Sequence, residues 1–326
     1  MDTGTHIVMG LGLAGIATLD PIVAETSATT TSVMIGAIIG SQIPDIDTIL
    51  KLRNNAVYIR NHRGITHSIP AVLLWPILIT AIIYSFFPES NLFHLWLWTF
   101  IAVFLHVFVD IFNAYGTQAL RPFSSRWIAL GTINTFDPFI FALHVFGLIV
   151  WAFGANPGYT FLTIYALLII YYILRFREQR IIMRKVKKLI PDATDIIIAP
   201  TMKYRQWRIA VMNKQQFFVG RGVNRTVNII DQFNRVPEPK TPILEAAKKD
   251  ENLSAFLSFS RVYRWEIDEY DEYTEVRFID LRYRSNDYYP FVAVVQLDSD
   301  LNIMTSYTGW IFSEEKLRKK LDFIPG

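Results

Sequence analysis

Apolar residues run in long blocks through the first half of the chain and give way to short alternating runs in the second. Four blocks, at 69–87, 93–112, 139–154 and 159–174, come close to the roughly 20 helical residues that cross a bilayer core of about 30 Å, and they predict four membrane-spanning helices. The last two are short and leave little room for tilt. Two weaker stretches, 7–19 and 33–43, are rich in Gly and Ala and predict one or two short helices packed or re-entrant among the spans. Beyond about residue 190, the runs DIIIAP, QWRIAVM, FFVGRGV, FLSFSRVYRWEI, TEVRFIDLRYR and YPFVAVVQL read as strands, and 313–321 as a closing helix.

The expected fold is therefore an α-helical polytopic membrane domain over 1–175, a basic juxtamembrane helix over 176–190, and a C-terminal soluble α+β domain with an antiparallel sheet over 191–326. Composition agrees. At 52% hydrophobic residues the chain is more apolar than a soluble domain of its length needs. It contains no cysteine, which excludes disulfides, thiolate metal sites, cysteine nucleophiles and lipoprotein anchors. No basic region precedes the first apolar stretch, so the start reads as mature sequence and not as a secretory signal.

Charge gives an orientation. The first 174 residues hold 6 Lys and Arg against 8 Asp and Glu, a net −2, and the rest carries +5, which together make the chain's +3. Lys51, Arg53, Arg60 and Arg63 precede the first strong span, Arg121 and Arg126 lie in the loop 113–138, and RFREQRIIMRKVKK follows the fourth span. The alternate loops, near 88 and 155, have no Lys or Arg. The basic loops predict a cytoplasmic side that includes the C-terminal region, in the cell membrane.

With that topology, titratable residues collect at one depth. All six histidines lie before residue 175. His67 starts the first strong span, His106 and Asp110 end the second, and Asp137 precedes the third. Asp45, Asp47 and His62 fall in the first cytoplasmic loop, and His6 shares their side. In FLHVFVDIFN, His106 and Asp110 are four apart on one helix face, with Asn113 three further on. In PDID, an extended segment would put Asp45 and Asp47 on one side. In HRGITHS, a turn would bring His62 and His67 to a common point. Nitrogen and oxygen donors without thiolate suit a divalent metal, Zn²⁺ foremost, with Mn²⁺ or Fe²⁺ also fitting, and a set this size has room for two ions. Ionisable groups at membrane depth are costly, so a functional reading is the default.

Plainer readings stand beside this one. Asp137 ahead of Pro138 is a good helix cap, His144 suits packing, His94 suits the outer interface, and aromatics alternating in the C-terminal strands are ordinary sheet core.

TGTHI, PDID, HRGITHS and HxxxD followed by NAYGT together resemble the YdjM-like family of membrane-bound metal-dependent hydrolases, most closely its YfhP type, over residues 1–175 and the polar domain that follows. The resemblance implies that His6, Asp45, Asp47, His62, His67, His106 and Asp110 form a metal site, and a distant similarity to zinc-dependent phospholipase C enzymes implies phosphoester chemistry. The expected function is a metal-dependent hydrolase acting on an ester, foremost a phosphoester or lipid-linked substrate, with His62, Arg63 and Asp137 as candidate catalytic groups and membrane lipids as partners. Two alternatives come from other classes: a metal transporter, and a membrane-anchored regulator whose cytoplasmic domain binds protein or nucleic acid. Nucleic acid is disfavoured because no recognisable DNA-binding motif is present.

Overall fold

The structure, a computed structural model, describes residues 1–321. Its residues fall into two compact units: Met1–Thr48, His62–Gln179 and Pro200–Tyr204 form the first, and Ile49–Asn61, Arg180–Ala199 and the chain from Arg205 form the second.

The helices, in chain order, are α1 (Thr3–Ala17), α2 (Pro21–Glu25), α3 (Ser27–Gly40), α4 (Asn55–Asn61), α5 (Ile69–Phe86), α6 (Leu92–Asp110), α7 (Pro138–Ala152) and α8 (Pro157–Leu189), with 3₁₀ segments at Ile43–Leu52 and Ile65–His67. Polar side chains start most of them. Asp2 caps α1, Asp20 α2, Thr26 α3, Asn91 α6 and Asp137 α7, each accepting from an otherwise unpaired first-turn N–H. Among the described residues three helices, α5, α6 and α8, are long and apolar enough to cross a membrane, and α3 with the 3₁₀ segment after it, bent by 45°, makes a fourth candidate. The third sequence block becomes α7, which has only 15 residues. At 1.5 Å per residue that is about 22 Å, short of a bilayer core of about 30 Å.

Small residues bring α1, α3 and α6 close together. A Cβ on Gly40 of α3 would lie 3.0 Å from the Thr99 carbonyl oxygen and 3.1 Å from Ala102 Cβ, and a Cβ on Gly10 of α1 would run into Ser41. Leu13, Ala14, Ala37 and Ala102 fill this contact, as small-residue faces do between helices in lipid.

In the second unit, strands β1 (Asp195–Pro200), β2 (Gln206–Met212), β3 (Gln216–Val223) and β4 (Thr226–Asn234) form one sheet in sequence order, and β5 (Tyr263–Glu269), β6 (Thr274–Asp280), β7 (Phe291–Leu297) and β8 (Ile303–Trp310) form another. Neighbours are antiparallel from β2 to β4 and from β5 to β8. Helices α9 (Pro242–Ala247) and α10 (Glu251–Phe259) come between the sheets in sequence, and α11 (Glu314–Leu321) follows. The basic juxtamembrane helix expected over 176–190 is the end of α8 and not a separate helix: Ile182 and Val186, four apart, are fully buried against Trp207, Ile209 and Val211, while the Arg and Lys residues of 180–189 stay on the other faces. FLSFSRVYRWEI is the one expected strand that changes type. Its first four residues finish α10, which Asp250 caps through Leu253 N at 2.9 Å. The cap and a 3.6-residue apolar repeat outweigh the local alternation.

Candidate metal centre

Each polar group sits where an element begins or ends. His6 is in the first turn of α1, His106 and Asp110 are in the last turns of α6, His67 closes the short 3₁₀ turn before α5, and Asp45 and Asp47 lie in the 3₁₀ segment after α3. Asp45 Oδ1, His67 Nε2, His106 Nε2 and Asp110 Oδ2 converge. His67 Nε2 is 3.5 Å from the Asp45 oxygen and 3.6 Å from the Asp110 oxygen, and His106 Nε2 is 3.6 and 3.8 Å from the same two. These four side chains form a group able to hold a metal ion, and Asp45, Asp47 and His62 form a second that shares Asp45.

The donor set fits a cation on three counts. Tetrahedral ligands at about 2.1 Å from Zn²⁺ lie about 3.4 Å from one another, close to the spacings found here. All four inward atoms are buried and make no hydrogen bond, Asp110 Oδ2 having an ion pair with Arg63 instead, and orphaned buried polar atoms are rare. The histidine tautomers also suit ligation. His106 Nδ1 donates to the Ser41 carbonyl at 2.6 Å. Because a carbonyl only accepts, the proton is on Nδ1 and the Nε2 lone pair faces the cluster. For His67 the chain is longer: Thr66 Oγ1 donates to Asp47 Oδ2 at 2.8 Å, which leaves it to accept from His67 Nδ1 at 3.1 Å, and again Nε2 faces inward.

Asp47 therefore has a different place from Asp45. A 3₁₀ helix turns by a third of a circle per residue, so positions two apart cannot share a face, and the extended PDID expected from sequence is absent. Both Asp47 oxygens are engaged, Oδ1 by His62 Nδ1 at 2.8 Å and Oδ2 by Arg63 N and Thr66 Oγ1, each at 2.8 Å. Arg63 has φ 59°, a left-handed conformation costly for a side-chain-bearing residue. Its guanidinium donates to the Met1 carbonyl at 3.0 Å and pairs with Asp110 Oδ2 at 3.1 Å. The Met1 amino group also pairs with Asp110, through Oδ1, where Asn113 donates at 3.0 Å. Positive charge is thus drawn to the same carboxylate from two directions. His6 stacks on His106 with ring centroids 3.7 Å apart, and its Nε2 is 3.4 Å from Asp110 Oδ1.

One expected site residue, Asp137, lies elsewhere, and His94 and His144 stay outside the site as their sequence positions suggest. Asp137 is not brought into either group: its Oδ1 accepts from Phe139 N at 3.1 Å and Ile140 N at 3.3 Å, and its Oδ2 from the Tyr171 hydroxyl at 2.8 Å. It is a cap and a tie between α7 and α8. His94 binds Asp20 at 2.7 Å, and His144 donates to Ile140 O at 2.8 Å. The sequence reading passed over Ser41 and Thr66. Nothing local marks the Ser41 carbonyl, whereas Thr66 could have been suspected from its place between the histidines of HRGITHS.

The fold and the site together define a polytopic helical membrane protein with a buried histidine–aspartate cluster able to hold a metal ion. The chain belongs to the YdjM inner membrane protein family, whose model matches residues 1–182. The YfhP middle domain matches 191–233 and the YfhP C-terminal alpha/beta plait domain matches 242–321. Over 322 residues, 98% of each chain, it is 62% identical to a protein described as "Uncharacterized protein YfhP" from Bacillus subtilis (strain 168). No solved structure matches.

Proposed function

We propose that this protein is a membrane-bound, metal-dependent hydrolase that cleaves an ester, foremost a phosphoester or a lipid-linked one, at the cytoplasmic face. The observation that carries the reading is the convergence of four buried ligand atoms, none with a hydrogen bond, at spacings that suit one divalent cation. Asp45, His67, His106 and Asp110 would hold the ion. His6 lies against the other oxygen of Asp110, and the shared Asp45 would link a second ion at Asp47 and His62. Three carboxylates, Asp45, Asp47 and Asp110, against the Arg63 guanidinium and the Met1 amino group leave the cluster short of positive charge. A divalent ion there supplies a Lewis acid for an ester oxygen and acidifies water.

The chain's own residues supply the rest. His62 is 22% exposed and is held at Nδ1 by Asp47, so its ring is oriented at the rim of a buried set; with one ion bound its other nitrogen would give or take a proton, and with a second ion that nitrogen would be a ligand instead. Arg63 brings a guanidinium to the anionic substrate group while balancing Asp110. Ser68 is not used, because its hydroxyl donates to Ile65 O at 2.6 Å and no base activates it.

The test separates binding from turnover. The protein purified in detergent is expected to hold Zn²⁺ or Mn²⁺, and His106→Ala or Asp45→Asn should each lower metal content, whereas Asp137→Asn should not. Chelation should stop hydrolysis of generic phosphomonoesters, phosphodiesters or phospholipids, and the ion should restore it. A metal-loaded, folded preparation inactive on all of these would defeat the hydrolase reading but keep the centre. A metal-free parent would defeat both.

A further inference from the structure

The second unit contains a cavity of about 410 Å³ that no part of the proposed hydrolase chemistry uses. Its size is within the roughly 300–1,000 Å³ of small-molecule sites, which favour junctions between domains. It lies at such a junction. Phe217 comes from the first sheet, Arg235 and Glu238 from the connection 235–240, and Arg261, Arg264 and Trp265 from the start of the second sheet.

Donors outnumber acceptors in it. Each of the three guanidinium groups offers five N–H donors and no acceptor. Arg261 spends one on Asp195 at 3.1 Å, and Arg264 pairs with Glu266 while its buried Nε has no hydrogen bond. Arg235 makes no side-chain hydrogen bond or ion pair among the described residues. The one carboxylate in the lining, Glu238, is already matched by Lys248 at 2.6 Å and the Tyr263 hydroxyl at 2.7 Å. Burial pushes its carboxyl up, but those two hydrogen bonds outweigh burial and hold it below the usual range. Arg235 therefore leaves uncompensated positive charge in the cavity, and all three arginines present planar forks that match phosphate.

Its apolar surface is flat and fixed. The Trp265 indole is pinned by donation from Nε1 to Val236 O at 3.2 Å, Phe217 is buried, and the Arg264 guanidinium lies 5.0 Å over the Phe233 ring. Aromatic and guanidinium planes accept a nucleobase by stacking with little regard to its identity. An inorganic anion would leave this surface and most of the volume without a partner.

We infer that this cavity is a nucleotide-binding site in which the arginines take the phosphates and the Trp265 side takes the base. The inference is independent of the metal centre. The experiment is calorimetric titration of the detergent-purified full chain with AMP and with ATP, and separately with adenosine and inorganic phosphate. Saturable binding of a nucleotide, tighter than either half alone, is expected. Losing one charge-assisted contact costs about tenfold in affinity, so Arg235→Ala and Arg264→Ala should each weaken binding by about that factor. Arg235 is exposed and unpaired, so its variant should melt like the parent even if loss of the Arg264 pair perturbs the sheet. Binding should survive in Asp110→Asn and in chelated protein. The inference is overturned if no nucleotide binds at millimolar concentration, if phosphate alone binds as tightly, if Arg235→Ala binds like the parent, or if binding disappears with the metal-site variant.

Discussion

Thr66 makes Asp47 matter at a distance. Its hydroxyl can donate only once, and it gives that proton to Asp47 Oδ2, so the Nδ1 proton of His67 meets an acceptor and Nε2 is left as a ligand. Partners that orient a metal-binding imidazole are worth about 10–100-fold in metal affinity. Thr66→Val keeps the shape and removes the relay, and it should weaken Zn²⁺ binding by about that factor, whereas Thr66→Ser should stay near the parent. Competition with a chromophoric chelator measures both, and parental affinity in the valine variant would rule out the relay. The same competition between ligand and hydrogen-bond acceptor settles Asp137. A residue at a helix start can be a ligand or a cap, and only its neighbours decide; Phe139 N, Ile140 N and Tyr171 decide it here.

Among the elements, α1, α3 and α6 set the cluster's dimensions. The Ser41 carbonyl that holds His106 follows directly on Gly40, and Gly40 lets α3 lie against the Thr99 backbone of α6. A valine at 40 would push the two helices apart, because backbone atoms cannot move aside as a flexible side chain would. Overpacking of this kind costs about 1–3 kcal/mol. Gly40→Val should therefore lower the melting temperature in detergent and reduce metal affinity together. A variant that loses stability while keeping full metal affinity would separate the helix contact from the site.

For the whole molecule, the outstanding quantity is orientation. The loops with Arg and Lys all fall on one side if α5, α6, α7 and α8 alternate, and that predicts a cytoplasmic C-terminal region. Reporter fusions after Leu174 should give the cytoplasmic signal, and fusions near Glu89 and Ala155 the opposite one. The Ala155 fusion is the sharper test, because α7 has 15 residues and must thin the bilayer or sit among longer helices to cross. A cytoplasmic signal there would mean that α7 and the start of α8 turn back within the membrane. The stretch Ile49–Asn61, between Asp47 and His62, belongs to the second unit, where α4 is tied by Arg60 to Ser254 at 2.8 Å and by Asn55 to the Thr308 carbonyl.

Much of this could be read from the chain before any coordinates. Apolar block length determined α5 and α6 nearly to the residue, and the i, i+4 spacing of His106 and Asp110 determined that they share a face, because both depend only on local helix geometry. The switch to alternating runs announced the sheets, though β4, with polar residues at every exposed position but Ile230, and β8 were not read as strands. Tertiary structure decided what local rules leave open. It made PDID a 3₁₀ turn, put Asp45 in both ion-sized groups and Asp47 in the second alone, carried α8 without a break from the apolar segment onto the first sheet, and left Asp137 as a cap. In each case local rules allow more than one conformation, and burial selected among them: of polar atoms, which must find partners from elsewhere in the chain, at the site and at Asp137, and of Ile182 and Val186 along α8.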